Sequence, residues 1–214
     1  MRIKGQRRKL TQADVERARI PRRFWHLSYS SIPESARSPI QRYMLGIDGH
    51  LDAGDGLLLW GPNGVGKTSI AVLVAFEAMR RGASALFMTS ESIRQSYIEG
   101  SPFDDDFSMI DRARIVDVLV IDDMAKEHRG DTEFAERMLE NLLRQRAAAR
   151  KTTIITTNLS IVQDDRSERR KASLAAVYPA SLVEVIQGSL YPVQVIGPDQ
   201  RKTEALGIQE RMAA

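Results

Sequence analysis

Cysteine is absent from the 214 residues, which excludes a disulfide framework and any thiolate metal site. A reducing, cytoplasmic location is the expectation. Histidine occurs only as His26, His50 and His128, without metal-ligand spacing and without a nucleophile triad, so none is given a role. The longest apolar stretch, Ile70 to Phe76, falls far short of the roughly 20 residues that a membrane-spanning helix requires. The basic N-terminus lacks the apolar run of a secretory signal, and no membrane partner is expected. There is no internal repeat and no low-complexity tract. What remains is 43% hydrophobic and 28% charged, the balance of an ordinary domain able to bury a core.

The small net charge of +3 conceals an asymmetry. Nine Lys or Arg in residues 1–23 face only Asp14 and Glu16, whereas the rest of the chain is net acidic by four charges. Residues 1–20 therefore read as a basic arm, suited to nucleic acid or an acidic protein, or simply solvated. Within it, Thr11 or Gln12 opens a short helix that Pro21 stops. Residues 21–56 read as a connector, extended and Ser/Pro-rich to residue 38, then helical from Ile40 to Leu51. A core is expected over residues 57–202 and a tail over 203–214.

In that core the pattern alternates. Strands are expected at Leu57–Trp60, Ala83–Thr89, Ile115–Ile121, Thr152–Thr156 and Val193–Ile196. Helices are expected at Thr68–Arg81, Glu91–Ile98 and Asp131–Arg150, with a loop at Gly100–Phe107 that holds Asp104, Asp105 and Asp106. Continuous apolar strands between helices imply a parallel sheet covered on both faces. The fold class is α/β, a three-layer P-loop sandwich with a five-stranded parallel sheet.

Directly after Leu57–Trp60 stands Gly61-Pro62-Asn63-Gly64-Val65-Gly66-Lys67-Thr68, which fits G-x-x-x-x-G-K-[ST] at every fixed position. Glycines let the backbone wrap a phosphate, and inward N–H groups at a helix N-terminus complete an anion site. Lys67 is placed to reach the β- and γ-phosphates and Thr68 to hold Mg²⁺. The pattern implies binding of ATP with Mg²⁺.

Further on, Val118-Leu119-Val120-Ile121-Asp122-Asp123 is an apolar strand that ends in two carboxylates. Asp122 suits the Mg²⁺ shell, and Asp123 suits orienting or deprotonating the attacking water. Thr156-Thr157-Asn158 follows the fourth strand, where the Asn158 amide would sit beside the γ-phosphate. The catalytic candidates are Lys67, Asp123 and Asn158, and the metal candidates are Thr68 and Asp122.

The phosphate loop, the Ile-Asp-Asp tip and Ile154-Ile155-Thr156-Thr157-Asn158-Leu159-Ser160 together resemble the AAA+ ATPases that load bacterial replicative helicases, the DnaC and DnaI group. They also resemble the related IstB-type transposition helper ATPases. Ile20-Pro21-Arg22-Arg23-Phe24 is similar to the Pro-aromatic lead-in of those proteins, and Ile196–Arg201 to their closing strand and terminal arginine. The resemblance spans roughly residues 20–202. It implies a replicative helicase and single-stranded DNA as partners and leaves a homo-oligomer open.

Three departures stand out. Asp123 is one methylene shorter than the family's usual glutamate. Ser181, in Pro179–Glu184, stands about where family members carry an arginine that reaches a neighbouring subunit's ATP; Arg166, Arg169, Arg170 and Lys171 are the nearest basic cluster. The residues before the first strand and after Arg201 leave little room for a helicase-binding domain or a full lid domain.

Several features have a packing reading beside a functional one. Arg144, Arg146, Arg150 and Lys151 complement the dipole of the long helix, with a DNA-facing role as the alternative. Phe134, Met138, Leu139, Leu142 and Leu143 have core spacing. Phe24, Trp25 and Tyr29 suit stacking on a base or packing against the core. Three functional readings follow: a loader acting with helicase and single-stranded DNA, a transposition helper acting on duplex DNA, and a nucleotide-gated adaptor with negligible turnover. A small-molecule kinase lacks a matching lid segment.

Overall fold

Alternation along five short strands dictates the architecture. In the computed structural model, which describes residues 7–98, 108–124, 132–161 and 173–200, the strands are β1 (Gly56–Trp60), β2 (Ala85–Thr89), β3 (Val118–Met124), β4 (Thr152–Thr157) and β5 (Leu190–Gln194). They form one parallel sheet in the order β2-β3-β4-β1-β5. Successive side chains point to opposite faces. Leu57, Leu59, Val118, Val120 and Ile154 therefore join one buried cluster, and Leu58, Leu119, Ile121 and Ile155 join the other.

Helix α4 (Lys67–Arg80) packs on the first face. It is buried almost all round, from Ser69 to Met79, so a second layer has to cover its far side. That cover is the N-terminal quarter of the chain: α1 (Gln12–Arg17), two 3₁₀ turns at Arg22–Phe24 and Tyr29–Ser31, α2 (Glu34–Leu45) and α3 (Ile47–Ala53). Val15, Ala18, Ile20, Phe24, Ile32 and Ile40 belong to the same cluster as α4. The opposite face carries α5 (Ser90–Ile98), α6 (Met109–Ile115), α7 (Thr132–Ala148), α8 (Leu174–Val177) and α9 (Ala180–Ser189).

Differences from the sequence reading are local and explicable. The segment expected to be extended holds the two 3₁₀ turns and the first turn of α2, because Pro33 caps that helix and Pro39 is accommodated inside it. The helix expected over Ile40–Leu51 is two helices that meet at Gly46. Ile115 ends α6 rather than opening β3, and β5 starts earlier, at Leu190. Helices α6, α8 and α9 were not foreseen. Asp104–Asp106, His128, Arg166, Arg169, Arg170, Lys171, Arg201 and the expected tail lie outside the described residues.

The basic residues ending α7 do different work from the one expected. Arg146 is fully buried, and its guanidinium donates to the carbonyls of Ala113, Val116 and Thr152 and to Thr153 Oγ1. Burial pushes its pKa down to about 9, so it stays charged at neutral pH. Arg144 pairs with Glu140, and Lys151 with Asp117. Arg146 thus ties the end of α6 to the start of β4 from inside the core.

A second polar tie holds the N-terminal segment. Glu77 of α4 is buried, accepts from Tyr29 at 3.1 Å and Arg81 at 3.3 Å, and pairs with Arg7. Burial would raise its pKa, but the hydrogen bonds from Arg7 and Tyr29 outweigh it and hold the carboxyl below its ordinary range. Among the described residues no helix is long and apolar enough to cross a membrane.

Two outcomes follow from these ties. Arg146→Met strands several carbonyls and should cost about 3–5 kcal/mol in urea denaturation. Glu77 is bound more strongly as a carboxylate in the folded state than in the unfolded one. Its contribution, about 1–2 kcal/mol, is complete above the ordinary carboxylate range and disappears as pH falls through and below it. Melting curves of the parent and Glu77→Gln should therefore differ at pH 7 and converge toward pH 3; a gap independent of pH would contradict this account.

Candidate active site

The six-residue loop between β1 and α4 needs backbone shapes that side chains resist. Gly61 has φ +147° and Gly66 φ +94°, and a Cβ on Gly61 would run into the Val195 carbonyl next to the end of β5. Gly66 serves as the N-cap of α4. The loop thereby curls over the helix N-terminus, where Asn63, Gly64, Gly66, Lys67 and Thr68 line a cavity of about 210 Å³. Pro62 and Val65 complete the loop, with Val65 buried against the core. Gln200 closes one side, its N–H donating to Gly64 O at 2.9 Å.

Lys67 reaches back along the loop. Its Nζ donates to Gly61 O at 2.8 Å, Pro62 O at 2.6 Å and Asn158 Oδ1 at 2.8 Å. The predicted partners Lys67 and Asn158 are therefore in contact although 91 residues apart. Strand β4 makes this meeting possible, because it runs beside β1 with Trp60 opposite Thr157.

The same strand also separates β1 from β3, so it stands between the loop and the two carboxylates. Asp122 Oδ1 accepts the Thr68 hydroxyl at 2.8 Å and the Thr156 hydroxyl at 2.7 Å. Thr156 Oγ1 in turn accepts the Asp123 N–H at 2.9 Å. Burial pushes the Asp122 carboxyl upward, opposed by the Thr156 and Thr68 hydroxyls; the charge of Asp123 adds to the rise, and that of Arg23 opposes it.

In a regular strand, neighbours point to opposite faces and cannot share a site. Here the register slips between Ile121 and Met124, and Asp123 adopts a left-handed φ of +62°. The irregularity brings both carboxylates to one cavity, with Thr156 and Asn158. Strain at such a position is commonly kept where geometry serves a site.

The donor set fits Mg²⁺: Thr68 Oγ1 and Asp122 Oδ1 are hard oxygen atoms at the phosphate loop. Sequence reasoning missed Thr156, Arg23, Leu27, Ser31 and Gln200, which also line the cavity. Thr156 stands in the same motif as Asn158, and Arg23 in the Ile20–Phe24 lead-in. Of the candidate stacking residues, Phe24 lines the cavity while remaining buried, whereas Tyr29 points to Glu77 and Trp25 donates its indole N–H to Ile20 O. Ser181 Oγ donates to Glu140 at 2.8 Å on the α7–α9 side of the sheet.

A family model described as IstB-like ATP binding protein matches residues 22–177. No curated protein matches the chain. Among solved structures, the DnaC helicase loader superposes with a TM-score of 0.66 at 21% identity, covering 82% of this chain and 100% of that one. DnaI gives 0.64 at 23% identity, covering 84% and 93%. The replication initiator DnaA, bound to AMPPCP and single-stranded DNA, gives 0.59 at 15% identity, covering 78% and 48%. These likenesses establish a shared P-loop α/β fold.

Thr156 offers a direct check on the site. Thr156→Val removes a hydroxyl that donates to a buried carboxylate and accepts a backbone N–H, leaving both underbonded. Chemical denaturation should show a loss of about 1–3 kcal/mol, whereas Thr152→Val, on the same strand but with a hydroxyl that makes no hydrogen bond among the described residues, should cost less than that.

Proposed function

The chain belongs to the IstB-like ATP-binding protein family, and from that premise we propose that it is a Mg²⁺-dependent ATPase whose nucleotide state controls its hold on DNA and a DNA-handling partner. The observation that carries the reading is the double hydrogen bond on Asp122, which joins the phosphate loop, β3 and β4 at one cavity.

In this reading the loop amides and Lys67 bind the phosphate chain. Lys67 exchanges its carbonyl partners for phosphate oxygens, while Asn158 holds the ammonium from the other side. Thr68 and Asp122 would hold Mg²⁺, whose charge would offset that on the phosphate oxygens. Asp123, turned into the cavity by its left-handed backbone, orients the attacking water and takes its proton. Asn158 also flanks the terminal phosphate.

For the partner, we read the chain as a helicase loader: ATP orders a surface for a replicative helicase and single-stranded DNA, and hydrolysis releases it. The fold shared with DnaC and DnaI supports this choice. The family match supports a second reading, a helper that brings a transposase to duplex DNA. Ser181, held by Glu140, is what a nucleotide-gated adaptor with negligible turnover would rest on.

Steady-state ATP hydrolysis separates the three readings, measured alone and with single strands, duplex or a replicative helicase, with Lys67→Ala as blank. Stimulation by single strands and helicase is the expected result; stimulation by duplex alone would favour the helper. Asp123→Asn should lower kcat by about 10²–10³-fold with nucleotide affinity retained. Nucleotide binding without turnover under every condition would leave only the adaptor.

A further inference from the structure

The cavity above the phosphate loop is poor in positive charge. Among the described residues that line it, the cations are Lys67 and Arg23, set against Asp122 and Asp123. A nucleoside triphosphate adds several negative charges to two carboxylates already there. Beside the loop amides and any bound Mg²⁺, Lys67 and Arg23 are the side-chain cations among the described lining residues, so the second one matters.

Arg23 is held at the rim by a built turn. Pro21 opens the 3₁₀ turn Arg22–Phe24 with φ −58°, and the Phe24 N–H donates to Pro21 O at 2.9 Å. Phe24 is anchored in the core beneath, and the Arg23 guanidinium lies 4.5 Å from the centre of its ring. The Trp25 indole N–H closes the turn on Ile20 O at 2.8 Å. Arg22, in the same turn, lies over the Trp25 ring at 5.6 Å and is not among the lining residues.

Arg23 also shares the cavity with Thr68, Asp122 and Asp123. Of these, Asp122 accepts the Thr68 hydroxyl at 2.8 Å. That is where the last phosphate of a nucleotide seated on the loop would meet Asp122 and Asp123. A planar guanidinium there matches phosphate oxygens with paired donors.

We propose that Arg23 is a second phosphate-binding cation of this site, supplied by the same chain from the segment ahead of the sheet, and that it favours triphosphate over diphosphate. The inference rests on the reading of the site as an ATP site. It also gives the N-terminal cover a direct link to the nucleotide, because the segment that presents Arg23 continues through Tyr29, which bonds to Glu77.

The test is titration of the full chain with fluorescent ATP and ADP analogues in the presence of Mg²⁺. Arg23→Ala should weaken the triphosphate about 10–100-fold, the range for a lost hydrogen bond to a charged group. The diphosphate should weaken by less than about 3-fold on the same scale. Arg23→Gln keeps a stem to lie over Phe24 and should show the same selective loss if the alanine variant proves unstable. Arg22→Ala, which removes a cation from the same turn, should change neither affinity. Equal losses for both nucleotides, or none, with binding still abolished by Lys67→Ala, would overturn the role of Arg23 alone. Absence of nucleotide binding in the parent chain would overturn the ATP reading and this inference with it.

Discussion

Asp122 is the constraint on which the rest of the site depends. A carboxylate this buried is costly unless it is hydrogen-bonded, and its bonded oxygen meets two hydroxyls, one from the start of α4 and one from β4. Those bonds fix the phosphate loop against β3 across an intervening strand. They also require β4 to lie between β1 and β3, which a parallel sheet with helical crossovers can satisfy. The strand order, the burial of the carboxylate and the placement of Thr68 are thus one condition seen three ways.

That condition explains the irregularity next to it. A strand that continued regularly past Asp122 would send Asp123 to the opposite face. The left-handed residue and the register slip turn it back, and the Thr156 hydroxyl accepts its N–H so that the bent backbone keeps a partner. Thr156 serves both carboxyl positions at once, a reason for a hydroxyl rather than an apolar side chain at a buried place on β4. A valine there would match the strand equally well and would leave the tip unsupported.

The parts legible in the sequence are those written in local chemistry. The phosphate loop is readable because its glycines and its Lys-Thr pair follow from what backbone and phosphate require. The strands are readable because apolar runs alternate with helical periods. Asp122 and Asp123 are readable as carboxylates at an apolar strand's end. Thr156 was harder, since its importance depends on which strands are neighbours, and the sequence alone does not state that β4 lies between the other two. Arg146 was harder still. An arginine in the last turn of an amphipathic helix looks like a solvated dipole partner, yet here the carbonyls that end α6 and begin β4 converge on it. The N-terminal quarter misled for the opposite reason: its charges suggest an arm, whereas its few apolar residues, Val15, Ile20, Phe24 and Ile32, are the ones that decide where it packs.

That packing bears on what the site can transmit. Helix α4 begins at the phosphate loop and carries Glu77 on its last turns, so one rigid element touches the nucleotide end and the N-terminal cover. The cover in turn reaches the cavity through Phe24, Leu27 and Ser31. Gln200 approaches from the other side, beyond β5, and its backbone N–H donates to Gly64 O. Two segments remote from each other in sequence therefore meet at the loop, one anchored by a buried ion-pair cluster and apolar side chains and the other joined to Gly64 through Gln200. Any rearrangement that nucleotide imposes on the loop would reach both segments at once.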